Sequence, residues 1–392
     1  MVIIGFVFYM ISKRIVPRTV VLLVFVMACT FISVGQPVRK AANWLIYHSV
    51  VDTTAPGESS FRIYPTLAYS PETSFELGFS TLYLFQAKKD TLNRLSEINA
   101  FSFITLESQY GIWLDNAIYG HRDKWFFLGR TRFQKFPLLY YGIGADASGE
   151  HPAIIDANYF IFRQRVLHKV IPNLFAGPEI DYQNLYNSSF EVDENRPNIE
   201  RPLGADGSAN LGLGGALVYD NRHNVLNVRK GYFGEIGVLR YSNNLGSTYS
   251  FTGVNIDARG YHPIRGRNVL AWQTKGDFFS GDVPFNQMAL MGGEVMMRGY
   301  YYGRYRDNNM LAAQAEYRML PFSFSKRFGA TLFAGTAAVA PRFGDFSLDQ
   351  FRLAGGGGIR YLLFPKKDIF VRLDVGFTRE GFGFYLFTGE AF

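Results

Sequence analysis

The sequence predicts an all-β protein, a transmembrane antiparallel barrel of about sixteen strands. Three observations carry this. Segments with alternating faces recur along almost the whole chain of 392 residues. An apolar leader of the kind that directs export stands ahead of them. Beyond that leader no run approaches the ~18 apolar residues of a spanning helix.

The alternation is clearest in 367–378. Ile369, Val371, Leu373, Val375 and Phe377 fall on one face, while Phe370, Arg372, Asp374 and Gly376 fall on the other. A strand that is apolar on one side and charged on the other fits a wall between lipid and water. Composition agrees, with 17% aromatic residues and 40 Gly. Aromatics suit the girdles at a membrane interface, and Gly suits tightly curved sheet. Mean hydropathy lies near zero, as it must when lipid-facing and lumen-facing residues alternate.

In chain order, the leader comes first. Lys13, Arg14 and Arg18 precede an apolar run from Val20 to Ile32, and Ser33-Val34-Gly35 offers small residues for cleavage before Gln36. Residues 1–35 therefore read as a signal peptide. A lipoprotein signal acylated at Cys29 and an uncleaved anchor are the competing readings of the same residues. Residues 36–60 form a short arm, too short to be an independent domain of at least about 50 residues. The barrel is expected over 61–392.

Strands are predicted at 61–70, 74–86, 98–110, 111–120, 124–135, 155–169, 172–186 and 208–220. They continue at 230–242, 248–261, 266–280, 308–320, 326–340, 350–363, 367–378 and 383–392. An even number suits a single-chain barrel. Polar rows recur at alternate positions: Arg130-Arg132-Gln134, Glu179-Asp181-Gln183, Asn255-Asp257-Arg259, Gln273-Lys275-Asp277 and Gln314-Glu316-Arg318. They belong inside, because a charge on the lipid face near the midplane costs ~2–4 kcal/mol. Long connections (136–154, 187–207, 281–307) follow odd-numbered strands and short ones follow even-numbered strands. With both termini in the periplasm, this puts long loops outside and short turns inside. The basic pairs Lys88-Lys89, Arg229-Lys230 and Lys366-Lys367 mark short turns, as solvated ends or lipid-headgroup contacts.

The net charge of +7 includes the leader cations and is spread without one dominant basic patch, which argues against nucleic-acid binding. Cys29 is the only cysteine and lies in the leader, so the barrel is expected to hold no disulfide and no thiolate metal site. The six His residues are dispersed without metal-ligand spacing. Gly355–Gly358 and Gly212–Gly215 sit in strand patterns with no helix following, unlike phosphate loops. No serine-hydrolase elbow or zinc-protease motif occurs. We expect no enzyme activity, no catalytic residue, no metal and no cofactor; a lipase assembled from a Ser and a His across strands is the disfavoured exception.

Three segments resemble the BamA/TamA-type bacterial surface-antigen superfamily of outer-membrane barrels. The first is Tyr219-Asp220-Asn221-Arg222-His223-Asn224 with Gly231-Tyr232 following. The second is Gly292-Gly293-Glu294-Val295-Met296-Met297-Arg298-Gly299-Tyr300. The third is Ala315-Glu316-Tyr317-Arg318, followed by Gly356–Tyr361, Arg372–Gly376 and Phe392. The likeness covers 210–392 well and 61–209 by strand pattern. It implies a long inward-folded loop between strands 11 and 12, with Arg298, Gly299 and Tyr300 at its tip and Glu316 as the wall carboxylate on strand 12. It also implies an Asp within Phe-x-Asp-x-Gly on strand 13, where this chain has Gly335; Glu294 and other lumen acids are the candidates to substitute for it.

The resemblance implies the bacterial outer membrane as location and a role in protein or lipid insertion or transport. The alternative is a passive pore or structural barrel without assembly activity. Implied partners are outer-membrane lipids and client proteins or accessory subunits. Only residues 36–60 stand ahead of the strands, so the likeness is to a barrel-only member without periplasmic substrate-binding domains.

Overall fold

The computed structural model describes residues 58–392, apart from 91, 197, 223–226 and 366–367. The leader 1–35, nearly all of the arm 36–60, His223 and the Lys366-Lys367 pair lie outside the described residues.

Sixteen long antiparallel strands close into one barrel. The first eight are β1 (Ser60–Ser70), β2 (Ser74–Gln86), β3 (Leu95–Thr105), β4 (Tyr110–Tyr119), β5 (Trp125–Lys135), β6 (Ala153–Ile171), β7 (Leu174–Glu191) and β8 (Ser208–Asp220). The second eight are β9 (Gly231–Tyr241), β10 (Phe251–Pro263), β11 (Asn268–Gly281), β12 (Asn309–Met319), β13 (Phe328–Ala340), β14 (Arg352–Phe364), β15 (Ile369–Thr378) and β16 (Gly381–Thr388). Each strand pairs with its neighbours in sequence, and β16 returns to β1. Closure brings the first and last edges together at the pair Tyr69–Leu386, where an open sheet would leave a free edge in hydrocarbon.

Three strands end four or five residues from where the sequence reading puts them, and of these the seventh runs on to Glu191 instead of stopping at 186. The third strand ends at Thr105, because Leu106–Gln109 form a turn with Ser108 at φ +60° and the Thr105 amide donates to the Gln109 carbonyl. The last strand stops at Thr388, where Gly389 takes φ +92° and turns the chain inward. Phe392 is then buried against Tyr261, Val269 and Ala391 instead of lying in a strand.

Side chains obey the period of two. On β15, Leu373 and Phe377 face outward while Arg372 and Asp374 are buried inside. The interior is polar but densely paired. Arg163 and Arg165 on β6 grip Glu179 on β7, and Arg165 also reaches Glu235 on β9 at 2.5 Å. Gly237 permits this: a Cβ there would stand 2.7 Å from the Glu179 carboxylate.

Three short strands lie beyond the wall. Leu138–Tyr140 pairs with the start of β6, and Ala289–Met291 pairs with Tyr305–Asp307 to make a hairpin within the β11–β12 loop. At the short-turn end, Arg229 braces the mouth. It holds Asp368 at 2.7 and 2.9 Å and donates to the Arg267 and Leu320 carbonyls at 3.0 and 2.8 Å.

Candidate functional site

The β11–β12 loop, residues 282–308, meets the inner wall along β12 to β16. Its conformation is set by residues with positive φ: Gly292 (+115°), Gly293 (+101°), Met297 (+60°) and Gly299 (+111°). Gly299 lies against Gly376 of β15. A Cβ on Gly376 would sit 2.4 Å from the Arg298 carbonyl oxygen, and one on Gly299 would sit 2.6 Å from Thr378 Cγ2. Two facing glycines thus allow backbone to approach backbone, which is why the inner-face position 376 carries no side chain.

That approach delivers Arg298 to the wall. Its Nη2 donates to Glu316 Oε1 on β12, and its Nη1 donates to Asp374 Oδ2 on β15 at 2.6 Å. The guanidinium lies over the Phe333 ring, 3.6 Å from the centroid. All three charged side chains are fully buried. A buried charge is tolerable only when paired and hydrogen-bonded, and two carboxylates plus an aromatic face meet that need.

The two carboxylates are themselves held. Arg318 Nε donates to Glu316 at 2.8 Å; Arg360 Nη1 and Arg372 Nη1 donate to Asp374 at 2.5 and 3.0 Å. The outer arginines continue toward the short-turn end. Arg318 Nη2 donates to the Phe392 carbonyl at 2.9 Å, and Arg360 Nε donates to Glu390 at 2.9 Å. Loop tip and the segment after β16 therefore share one ion network, Arg298–Glu316–Arg318–Phe392 on one arm and Arg298–Asp374–Arg360–Glu390 on the other.

Further contacts fix the rest of the loop. The Gly299 amide donates to Tyr385 Oη on β16 at 2.8 Å, and Arg304 holds Glu380 at 2.6 Å. Gln314 Nε2 on β12 donates to the Val295 carbonyl at 2.9 Å. Tyr300 is buried with Met297, Met291 and Val339, edge-on to Tyr305. The Tyr302 amide donates to Glu72 Oε1 in the β1–β2 turn at 2.8 Å. Burial, and then the nearby Glu294, push the Glu72 carboxyl up to about 7.

Of the residues singled out from sequence, Arg298, Gly299, Tyr300 and Glu316 lie together here. The position expected to carry an acid on β13, Gly335, faces Met297. Its carboxylate role is filled from β15 by Asp374, while Glu294 contributes its backbone carbonyl to Arg372 at 3.1 Å. Asp374, Arg360, Tyr385 and Glu72 were not among the sequence candidates. The signal for Asp374 was present in the alternation of β15, which places an acid two residues before an inner-face glycine. Among the described residues no cluster of His, Cys, Asp and Glu has metal-site geometry.

A barrel from Haemophilus ducreyi, BamA lacking POTRA domains 1–3, superposes with a TM-score of 0.55 at 14% identity, covering 85% of this chain and 70% of that one. CdiB from Acinetobacter baumannii superposes with a TM-score of 0.50 at 9% identity, covering 88% of this chain and 66% of that one. At such identities the likeness is one of fold. No curated protein sequence matches the chain. The family model described as the Omp85 superfamily domain matches residues 163–363, from β6 through β14, and so includes the whole β11–β12 loop. A closed sixteen-strand barrel with that match across half its length is a bacterial outer-membrane protein belonging to the Omp85 superfamily.

Proposed function

We propose that this barrel inserts or translocates protein or lipid at the outer membrane by parting β1 from β16. The observation that carries this reading is the seam. β16 pairs with β15 from Val371–Thr388 to Thr378–Gly381, but with β1 only at Tyr69–Leu386. Other neighbouring strands are zipped along most of their length, so among the described strands this seam is where opening costs few backbone hydrogen bonds.

The loop spans that place from within. It holds the β16 side through Asp374, Tyr385 and Glu380, and the β1 side through Glu72. In this reading Arg298 with Gly299 and Tyr300 pins the loop to Glu316 and Asp374. The pinned loop keeps the edges in register between opening events. A client strand or a lipid acyl chain enters through the parted edges; family membership and the barrel likeness to BamA and CdiB support a client of this class.

The test is a disulfide lock, Tyr69→Cys with Leu386→Cys, in cells that depend on the protein. Oxidation is expected to abolish function and reduction to restore it. Full function with a locked seam would favour a passive pore or structural barrel.

A further inference from the structure

The connections at the two ends of the barrel carry opposite charge. At the short-turn end, twelve described Lys and Arg stand against Asp90, Asp123 and Asp368. At the long-loop end, fourteen Asp and Glu stand against seven Arg. The chain's modest net charge conceals this separation, because the two ends nearly cancel.

The basic end also repeats one local pattern. The β2–β3 turn exposes Lys88 and Lys89 beside Leu92, which is 92% exposed. The β10–β11 turn exposes Arg265 and Arg267 beside Ile264, and the β12–β13 turn exposes Lys326 and Arg327 beside Phe324, 84% exposed. In each case a large, exposed apolar side chain lies close in sequence to two cations at the rim of a lipid-facing wall, Phe324 stacked on Phe322. In water alone such an apolar side chain gains nothing. At the boundary of a bilayer it enters the acyl region while the cations stay among the headgroups.

Two of these turns, β10–β11 and β12–β13, are neighbours, and the β2–β3 turn lies on the far side of the barrel from them. A folded partner with a standard footprint of about 800 Å² covers only an arc of such a ring. A headgroup layer surrounds all of it. We infer that the short-turn rim of this barrel is a binding ring for anionic phospholipid headgroups, each phosphodiester bridging the paired cations of one turn with its acyl chains against the adjacent apolar side chain.

The ring is tested on the full chain, folded in non-ionic detergent, by native mass spectrometry with added phosphatidylglycerol, phosphatidylcholine or inorganic phosphate. Phosphatidylglycerol is expected to remain bound in several copies and about fivefold more tightly than phosphatidylcholine, since a cation near an anionic headgroup contributes ~1 kcal/mol. Its retention is expected to fall in 0.5 M salt, because screening shortens the reach of exposed charges to a few ångströms. The combination R265Q, R267Q, K326Q and R327Q is expected to lose most of this preference. R201Q, R342Q and R379Q at the opposite end is expected to keep it. Equal retention of the two lipids, or equal loss in both sets of variants, overturns the ring. Displacement of phosphatidylglycerol by millimolar phosphate overturns the lipid assignment and leaves a free-anion site. The wild-type lipid comparison and its salt dependence decide the matter even if a variant fails to fold.

Discussion

Arg298 of the β11–β12 loop and Asp374 of β15 are joined by a 2.6 Å charge-assisted hydrogen bond, although they lie 76 residues apart and both are fully buried. The bond closes a circuit in which Glu316 holds the other arm of the same guanidinium. Truncating one member of a buried pair leaves its partner charged and uncompensated, at a cost of about 3–5 kcal/mol. R298A and D374A are each expected to lower stability by that order, read as the urea midpoint of barrel unfolding in detergent. R298K is expected to recover little of the loss, since an ammonium cannot present a planar fork to two carboxylates.

The Gly376–Gly299 contact makes a second, steric prediction. G376A puts a Cβ where the Arg298 carbonyl now sits and is expected to cost about 1–3 kcal/mol through displacement of the loop. G344A serves as control, because nothing lies within 4 Å of its added carbon. It is expected to change stability by less than about 0.5 kcal/mol.

Glu72 gives the seam a dependence on pH. Its carboxyl is raised from 4.5 to about 7, chiefly by burial and then by Glu294, while the Ser70 hydroxyl and the Tyr302 amide oppose the shift. An acid with a raised folded value binds its proton more tightly when folded. The stabilisation is therefore complete below pH 4.5 and is lost as pH rises through about 7. The urea midpoint is expected to fall between pH 5 and 8 by an equivalent of up to about 3 kcal/mol. E72Q is expected to flatten that profile.

Much of this architecture was legible in the chain. Period-two alternation locates all sixteen strands, because a wall between lipid and water forces every side chain onto a face. The limits of β3 and β16 were less legible. Ser108 and Gly389 redirect the backbone through positive φ, which apolar alternation does not report. The loop pin was partly legible: Arg298 and Glu316 sit in recognisable motifs, but Asp374 replaces an acid expected two strands away. Which wall strand supplies a carboxylate depends on where the loop comes to rest in three dimensions. Strand spacing carries no such information. Glu72 was hidden for a related reason: it lies in a three-residue turn far from the loop in sequence and meets it only because the barrel closes.

Arg229 links the β8–β9, β10–β11, β12–β13 and β14–β15 connections through Asp368 and two backbone carbonyls. R229Q is expected to speed amide hydrogen exchange in 264–268 and 320–327 while leaving β6 and β7 unchanged. Uniform loss of protection across the barrel would instead assign Arg229 a global role.

The contact from which the loop pin and the seam both follow is that of the loop with the inner wall in the membrane. The direct measurement is disulfide formation between V295C and Q314C, since Gln314 of β12 donates a 2.9 Å hydrogen bond to the Val295 carbonyl of the loop. It is followed in intact outer membranes by the shift on non-reducing gels. Ready crosslinking of this pair, with none between V295C and I112C on the outward face of β4, is the predicted result. Failure of V295C and Q314C to crosslink under oxidant, with the barrel correctly folded, would contradict it.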